Sequence, residues 1–207
     1  MLQGRAWNGD ALLLSYLRSQ PPSAELQALL AENGIRIKGH AGWSGDGDGG
    51  DDIVVGDAAD DTLYGNGGDD ILDGNGGQDL LVGGAGSDTY LFRRSSGHDR
   101  INAYDTTQER IETLVLDGLN VGDIRAEKWG DYDLAFVVKD SGESIVVQNF
   151  FSSEERKLDF VKFADGATWD RETIQGNFGG YSNPQRRKRA DPSRQRRFLR
   201  SVENCLQ

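Results

Sequence analysis

One large apolar position recurs every nine residues through the middle of the chain, between turns rich in glycine and acidic residues. Five consecutive nine-residue units begin at Gly47, Gly56, Gly65, Gly74 and Gly83. The eighth residue of each unit is large and apolar: Val54, Leu63, Leu72, Leu81 and Tyr90. A fixed short period of this kind is typical of a solenoid. Positions 6 to 9 of each unit therefore predict a short strand whose position 8 points inward.

The first five positions of each unit predict a sharp turn. Position 1 is Gly in every unit, and positions 2 to 4 hold only Gly, Ala, Asn or Asp. Gly, Asn and Asp tolerate left-handed backbone at low cost. Short strands separated by such turns predict a flattened coil in which two units complete one turn. The loops then alternate between the two edges of the coil.

Before the repeats, apolar residues recur at helical spacing in two segments. Helices are predicted from Asp10 to Ser19 and from Ala24 to Asn33, with Pro21–Pro22 between them. Ile35 and Ile37 are expected to begin a strand that leads into the repeats. The helices are an N-terminal cap, the remnant of an upstream domain or an ordinary helical hairpin, and the sequence leaves these alternatives open.

After the repeats, the apolar pattern predicts antiparallel strands. Thr89–Phe92 is expected to be the closing strand of the coil. Segments rich in β-forming residues, several with period-two alternation, follow at Ile111–Leu116, Ile124–Trp129, Leu134–Val138, Ser144–Phe151 and Leu158–Phe163. Turn signals lie at Gly130–Asp131, Ser141–Gly142 and Asp165–Gly166. We expect an antiparallel meander, closed by Trp169 and a short helix near residues 170–175.

The charge of the repeats decides what they need in order to fold. Residues 47–91 contain eleven acids and no Lys or Arg, and stacking brings like charges from alternate units together. Burying each apolar side chain contributes roughly 1.5–3 kcal/mol, whereas ordering each residue costs about 1–2 kcal/mol. The metal-free repeats are therefore not expected to fold alone. Ca²⁺ prefers carboxylate and carbonyl oxygens, which such loops supply, so we expect calcium to be a structural component.

The repeats also contain an invariant acid. Position 6 is Asp in all five units: Asp52, Asp61, Asp70, Asp79 and Asp88. With this residue, the units resemble the RTX nonapeptide GGxGxDxUx, a calcium-binding repeat. The resemblance implies a parallel β-roll in which each Ca²⁺ lies between the loops of units i and i+2. Unit i would supply the carbonyls of positions 2 and 4 and its Asp, and unit i+2 the carbonyls of positions 1 and 3 and its Asp.

This ligand scheme implies three calcium sites. The first comprises Asp48, Gly50, Asp52, Gly65, Gly67 and Asp70. The second comprises Asp57, Ala59, Asp61, Gly74, Gly76 and Asp79. The third comprises Asn66, Gly68, Asp70, Gly83, Ala85 and Asp88. Ala58–Ala59 departs from the motif and predicts a strained or weaker second site, although carbonyl ligation does not require Gly. The alternative interpretation of the repeats is an acidic, Gly-rich linker without fixed structure.

The resemblance extends beyond the repeats, over roughly residues 45–175. Residues 97–101 fit positions 4 to 8 of a degenerate sixth unit shifted by two residues, which makes Asp99 a candidate ligand of another calcium. The segments VQNFF and FADGATWD resemble a strand and a terminal hairpin of the domain that commonly follows RTX repeats. Its expected role is to cap the solenoid, and the alternative is a receptor- or glycan-binding module. We expect its aromatic residues, Trp129, Tyr132, Phe150 and Phe151, to lie in the core.

Taken together, these patterns predict a mainly β protein. Its fold is a parallel β-roll followed by an antiparallel β-rich C-terminal cap, with a short N-terminal helical segment. The expected boundaries are a helical segment and junction at 1–46, the roll at 47–91, the cap at 92–176 and a basic, flexible tail at 177–207.

Known catalytic motifs are missing from the sequence. His40 and His98 do not form an H-E-x-x-H motif, and neither G-x-S-x-G nor a P-loop occurs. Cys205, the single cysteine, has no placed base near it in sequence and is an improbable nucleophile. We expect both histidines to be structural and the chain not to be an enzyme. An enzyme fragment would require a catalytic domain upstream of this sequence.

The charge of the chain and its possible export signals limit which partners are expected. The net charge is −11, and the acidic body of the chain argues against nucleic acid as its main partner. Residues 184–207 carry eight Lys or Arg and two acids, and they are an anionic-membrane contact, a secretion-signal region, a protease-sensitive segment or a solvated end. The single Cys excludes an internal disulfide, and residues 12–17 form a poor signal peptide.

The RTX resemblance implies an extracellular protein that leaves a bacterial cell by type I secretion without a cleaved signal. The basic tail departs from the aliphatic ends expected of such signals, and the sequence is alternatively a fragment of a longer chain. The expected partners of this monomer are calcium ions and a cell-surface receptor, a glycan or an anionic membrane surface. The sequence does not distinguish a toxin from an adhesin or a free-standing module.

Overall fold

Two stacked β-sheets wind around one continuous apolar stripe in the computed structural model, which describes residues 36–38, 45–176 and 178. The strands, in chain order, are β1 (Arg36–Lys38), β2 (Gly45–Asp46), β3 (Asp52–Val55), β4 (Thr62–Gly67), β5 (Ile71–Asp73), β6 (Leu80–Ala85), β7 (Thr89–Arg93), β8 (His98–Asn102), β9 (Thr113–Asp117), β10 (Ile124–Trp129), β11 (Asp133–Val138), β12 (Ser144–Val147), β13 (Phe160–Phe163) and β14 (Thr168–Asp170). A short helix, α1 (Arg171–Gly176), follows β14, and 3-10 turns lie at Val121–Asp123 and Glu154–Arg156.

From β1 to β10, consecutive strands belong to opposite sheets, as a coil with two units per turn requires. One sheet has the order β1-β3-β5-β7-β9-β13-β14, and the other has the order β10-β11-β12-β8-β6-β4-β2. Parallel neighbours within the repeats align Val54 with Leu72 and Leu63 with Leu81. The mainly β fold and the parallel roll predicted from the nine-residue period are thus confirmed. The predicted strand around Ile37 is also present as β1.

The parallel coil continues past the repeats, and this corrects two predictions. Thr89–Phe92 does not close the coil, because β7 pairs in parallel with β9 and β9 pairs in parallel with β13. In the other sheet, β8 follows β6 and β12 follows β8, also in parallel. The predicted antiparallel meander is limited to β10–β11–β12 and to the β13–β14 hairpin. The sheets therefore run without interruption across the expected boundary between residues 91 and 92.

Burial of the inward stripe explains why the later strands stack in parallel. Tyr90 aligns with Leu114 and Leu114 with Val161, while Ile101 aligns with Val147 in the second sheet. All five side chains are fully buried and belong to the same core as the position-8 residues of the repeats. Parallel stacking thus lengthens an existing apolar core, and each such side chain contributes roughly 1.5–3 kcal/mol.

Several sequence predictions fall outside the part of the chain that the structure describes. They are the helices at Asp10–Ser19 and Ala24–Asn33, the histidine His40, the cysteine Cys205 and the basic segment 184–207. The predicted turns at Gly130–Asp131, Ser141–Gly142 and Asp165–Gly166 are present, and the short helix is α1. No helix of the described residues has the length and apolar character needed to span a membrane.

Candidate metal centre

The position-6 aspartates are buried inside the coil, where they form two columns. In one column, the backbone N–H of Asp52 donates to Oδ1 of Asp70 at 2.8 Å, and that of Asp70 donates to Oδ1 of Asp88 at 3.1 Å. In the other, the N–H of Asp61 donates to Oδ1 of Asp79 at 2.8 Å. A hydrogen bond between the backbone of one aspartate and the carboxylate of the other therefore links the pair assigned to each of the three expected sites.

In three of these aspartates, the second carboxylate oxygen has no hydrogen-bond donor among the described residues. Oδ2 of Asp70, Asp79 and Asp88 is buried and has no hydrogen-bond partner among the described residues. Burial is the main cause that raises the pKa of Asp70 to about 8 and the pKa values of Asp79 and Asp88 to about 7. A buried carboxylate without a partner is costly, so these oxygens fit a bound cation.

Backbone carbonyls approach the Oδ2 atoms of the position-6 aspartates, of which Asp61 Oδ2 also accepts a hydrogen bond from the N–H of Asp57 at 2.8 Å. The position that a Cβ would take on Gly56 lies 2.6 Å from both Asp61 Oδ2 and the Gly74 carbonyl oxygen. On Gly65, the same position lies 2.5 Å from the Gly83 carbonyl oxygen and directly against Asp70 Oδ2. Glycine at position 1 therefore leaves space in which a carboxylate and the carbonyl assigned to the same site converge.

A similar approach occurs at the start of the roll, where Asp52 Oδ2 also accepts a hydrogen bond from the N–H of Asp48 at 2.7 Å. The Cβ position of Gly47 lies 2.9 Å from Asp52 Oδ2 and directly against the Gly65 carbonyl oxygen. Among residues 45–176, no three side chains of His, Cys, Asp or Glu converge into a metal-binding group. Two carboxylates with several carbonyls form an all-oxygen donor set, which suits Ca²⁺ rather than a transition metal.

The remaining expected ligands lie in the stacked turns. The Asp48 carbonyl accepts a hydrogen bond from the N–H of Gly67 at 3.0 Å, and the Asp57 carbonyl accepts one from Gly76 at 2.9 Å. The Gly50 carbonyl oxygen lies 2.5 Å from the Cβ position of Gly68. Positions 2 and 4 of the third, fourth and fifth turns are left-handed, at Asn66, Gly68, Asn75, Gly77, Gly84 and Gly86.

The first two turns have a different backbone conformation. Asp48 and Asp57 accept hydrogen bonds from the N–H groups of Gly50 and Ala59 in Asx-turns. Ala59 has no positive φ, unlike Gly68 at the same position of the next unit. The strain expected at Ala59 is therefore not seen in its backbone. Its carbonyl and that of Ala85 remain predicted ligands.

The degenerate sixth unit extends the second column. The N–H of Asp79 donates to Oδ1 of Asp99 at 3.1 Å, and Asp99 Oδ2 is buried without a partner among the described residues. The spacing between these aspartates is 20 residues instead of 18, as the predicted two-residue shift requires. Burial raises the pKa of Asp99 to about 8. We propose Asp79 and Asp99 as the carboxylates of a fourth repeat site.

Two other groups of predicted residues differ from expectation. Trp129 and Tyr132 are 41% and 54% exposed, so only Phe150 of the predicted core aromatics is fully buried, and Phe151 is half-buried. Trp129 and Tyr132 lie at the turn between β10 and β11, and neither belongs to the described residues that pack against the core. His98 lies in β8 rather than in a turn, and its Nδ1 is 3.1 Å from the Ser144 hydroxyl.

One buried acid in this region escaped the sequence prediction. Glu112 is fully buried against the last repeat. Its signal was the pattern of an acid followed two residues later by an apolar residue, Leu114, which repeats the pair Asp88 and Tyr90. The spacing between Asp88 and Glu112 is irregular and Glu replaces Asp, so the nine-residue pattern did not predict this residue.

Low pH is expected to substitute partly for calcium in stabilising the coil. The folded-state pKa values of Asp70 and Asp79, about 8 and about 7, lie above the ordinary Asp value of about 3.9. A raised carboxyl pKa contributes stability that is complete below the unfolded pKa and is lost as the pH rises through the folded pKa. In chelator, far-UV circular dichroism should therefore report more β-structure at about pH 5.5 than at about pH 8.5.

Calcium should remove that difference, because ligating carboxylates must be deprotonated. Equal or greater β-structure at the higher pH in chelator would contradict the assignment of these buried acids.

Two family models match the chain. The RTX calcium-binding nonapeptide repeat (4 copies) matches residues 46–81 and 55–90, and the haemolysin-type calcium binding protein related domain matches residues 133–182. A comparison with curated proteins found no match. Among solved structures, the chain is similar to the solution structure of the AlgE6R3 subunit from the Azotobacter vinelandii mannuronan C5-epimerase. The two are 22% identical, with a TM-score of 0.41, over 75% of this chain and 93% of that chain.

Proposed function

We propose that this chain, whose residues 46–90 are calcium-binding RTX repeats, is a module of a secreted bacterial protein that folds when it meets extracellular calcium. The observation that carries the proposal is the row of buried carboxylate oxygens at Asp70, Asp79 and Asp88, which have no hydrogen-bond partner in the described part of the chain. At neutral pH this arrangement is costly without a cation, because each of these groups must either hold a buried charge or take up a proton. Bound Ca²⁺ compensates the charge and ties the turn of one unit to the turn two units later.

Cooperative folding follows from shared ligands. Asp70 belongs to the first and third expected sites, and Asp79 belongs to the second expected site and to the fourth one with Asp99. An ion bound at one site therefore orders a carboxylate of the next. Because the site does not exist in the unfolded chain, the free energy of calcium binding becomes free energy of folding.

The calcium gradient across the cell envelope gives this coupling a direction. Extracellular calcium modules bind at about 10⁻⁴–10⁻³ M, far above cytosolic calcium. The repeats would then stay extended inside the producing cell, which suits export through a narrow type I duct, and would wind outside it. Such a module supports the secretion and stability of a toxin-like or adhesin-like protein.

A titration followed by circular dichroism tests this function. In chelator at pH 7.5, the full chain should show little β-structure, and calcium should raise the β signal sigmoidally. Magnesium at the same concentration should not, because it requires octahedral geometry and dehydrates reluctantly. A fully β spectrum in chelator at that pH would rule out the folding switch.

A receptor- or glycan-binding module with purely structural calcium is the second candidate. It is favoured by the exposure of Trp129 and Tyr132 on one hairpin turn, where the indole Nε1–H of Trp129 donates to Glu127 Oε2 at 3.0 Å. Exposed, fixed aromatic rings suit stacking on sugars. A glycan array with calcium-loaded protein should then give saturable binding that Trp129→Ala abolishes, whereas Tyr104→Ala, at another exposed aromatic, retains it.

A further inference from the structure

The first column of buried acids does not end with the last repeat. In the repeats, the N–H of Thr89 donates to the Asp70 carbonyl at 2.7 Å. One turn later, the N–H of Thr113 donates to the Asp88 carbonyl at 2.9 Å. Glu112 precedes Thr113 as Asp88 precedes Thr89, so it takes the next place in the column of Asp52, Asp70 and Asp88.

Glu112 is as deeply buried as the aspartates, and one of its carboxylate oxygens likewise has no hydrogen-bond partner among the described residues. Its Oε2 accepts a hydrogen bond from the Tyr90 hydroxyl at 3.0 Å. Its Oε1 and Asp88 Oδ2 are buried and have no hydrogen-bond partner among the described residues. Two carboxylates of neighbouring turns therefore each present an unsatisfied oxygen inside the protein.

The Tyr90 hydroxyl lies where the repeats place a carbonyl. At Gly65, the Cβ position is shared by Asp70 Oδ2 and the Gly83 carbonyl oxygen, which lies 2.5 Å away. At Gly83, the same position is shared by Asp88 Oδ2 and the Tyr90 hydroxyl oxygen, also 2.5 Å away. A tyrosine hydroxyl is uncharged at neutral pH, so Tyr90 offers a neutral oxygen as a backbone carbonyl does.

The bases near this point are engaged by other acids. Arg110 pairs with Asp105 at 3.3 Å and Asp159 at 3.8 Å. Lys157 pairs with Glu154 at 3.0 Å, and Arg171 pairs with Glu154 at 3.1 Å and Asp159 at 2.7 Å. These three bases and three acids compensate one another. Asp88 is also assigned to the third expected site, so Glu112 supplies the additional carboxylate at this end of the column.

We propose that Asp88, Tyr90 and Glu112 form a terminal calcium site that closes this column. It differs from the repeat sites because Glu112 lies outside the nonapeptides and because a phenol hydroxyl stands in for a backbone carbonyl. The inference rests on the proposed function, since the neighbouring repeat sites must bind calcium for the column to form. Carboxylate and hydroxyl oxygens make Ca²⁺ the fitting ion.

Calcium stoichiometry of the full chain tests the site. Isothermal titration calorimetry is run with wild type, Glu112→Gln, Tyr90→Phe and Glu172→Gln, the last removing an exposed acid on α1. Glu112→Gln keeps the shape and a hydrogen bond to Tyr90, and it should bind one calcium fewer per chain. Tyr90→Phe should weaken one site about 10-fold, and Glu172→Gln should match wild type.

The possible outcomes distinguish a failure of the terminal site from a failure of calcium binding by the repeats. If Glu112→Gln and wild type bind the same number of ions with the same affinities, the terminal site is wrong and the folding function stands. If wild type binds no calcium, both fail. If Glu112→Gln does not fold in saturating calcium, Tyr90→Phe decides: a weakened site supports the proposal, and an unchanged isotherm overturns it.

Discussion

Replacing Asp70 with Asn is expected to weaken calcium binding by roughly 10- to 150-fold and to remove most of its cooperativity. The range corresponds to the loss of about 1.5–3 kcal/mol for one charge-assisted contact. Asp70 is the ligand shared by the first and third expected sites, and its Oδ2 is one of the buried oxygens that have no hydrogen-bond partner within the described residues. Asn retains an oxygen to accept the hydrogen bond from the Asp52 N–H but brings an N–H₂ group where the cation needs an oxygen.

The measurement is a calcium titration monitored by calorimetry and by far-UV circular dichroism. Asp131→Asn is the matched control, because it removes one acid of the same type from an exposed turn. It should titrate like wild type. Equal midpoints and equal steepness for Asp70→Asn and Asp131→Asn would show that no ion is shared at Asp70.

Gly65→Ala is expected to abolish calcium-coupled folding at calcium concentrations that fold wild type. An added Cβ would lie 2.5 Å from the Gly83 carbonyl oxygen and directly against Asp70 Oδ2. Overpacking a tight site costs typically about 1–3 kcal/mol, and here it also displaces two oxygens assigned to the third calcium. Gly65 has no positive φ, so the effect arises from lost space and not from the backbone conformation.

Gly122→Ala isolates that effect. A Cβ on Gly122 meets nothing within 4 Å, and Gly122 also has no positive φ. Its melting temperature in saturating calcium should stay close to that of wild type, since surface substitutions are usually within about 0.5 kcal/mol. A Gly65→Ala variant that folds and melts like Gly122→Ala would mean that position 1 is glycine for its turn alone.

Position 1 illustrates what the periodic pattern reveals and what it conceals. The invariance of Gly56 and Gly65 is visible in the sequence, and the turn propensity of glycine is a sufficient explanation there. In the structure, these glycines instead leave room for a carboxylate and a carbonyl to meet. The left-handed turn positions are others, such as Gly68 and Gly86. Conformational propensity acts within one unit, whereas this space exists only between two stacked turns.

The strands after the repeats show a similar division. Their segments follow from the sequence, and β9 to β13 lie close to the predicted ranges. The pairing of these strands does not follow from the sequence. The alternation of apolar and polar residues shows which face a side chain occupies, and it is the same for parallel and antiparallel pairing. Stacking of Leu114 on Tyr90 and of Val147 on Ile101 decided the parallel arrangement by extending the buried stripe.

By itself, the nine-residue code determined a parallel coil with two units per turn and two columns of buried aspartates, because each unit carries its own strand, turn and acid. Only the tertiary structure decided where the coil ends and which residues outside the code join it. Asp99 and Glu112 enter the columns at irregular spacings, since their places depend on which strand stacks next and not on any local pattern.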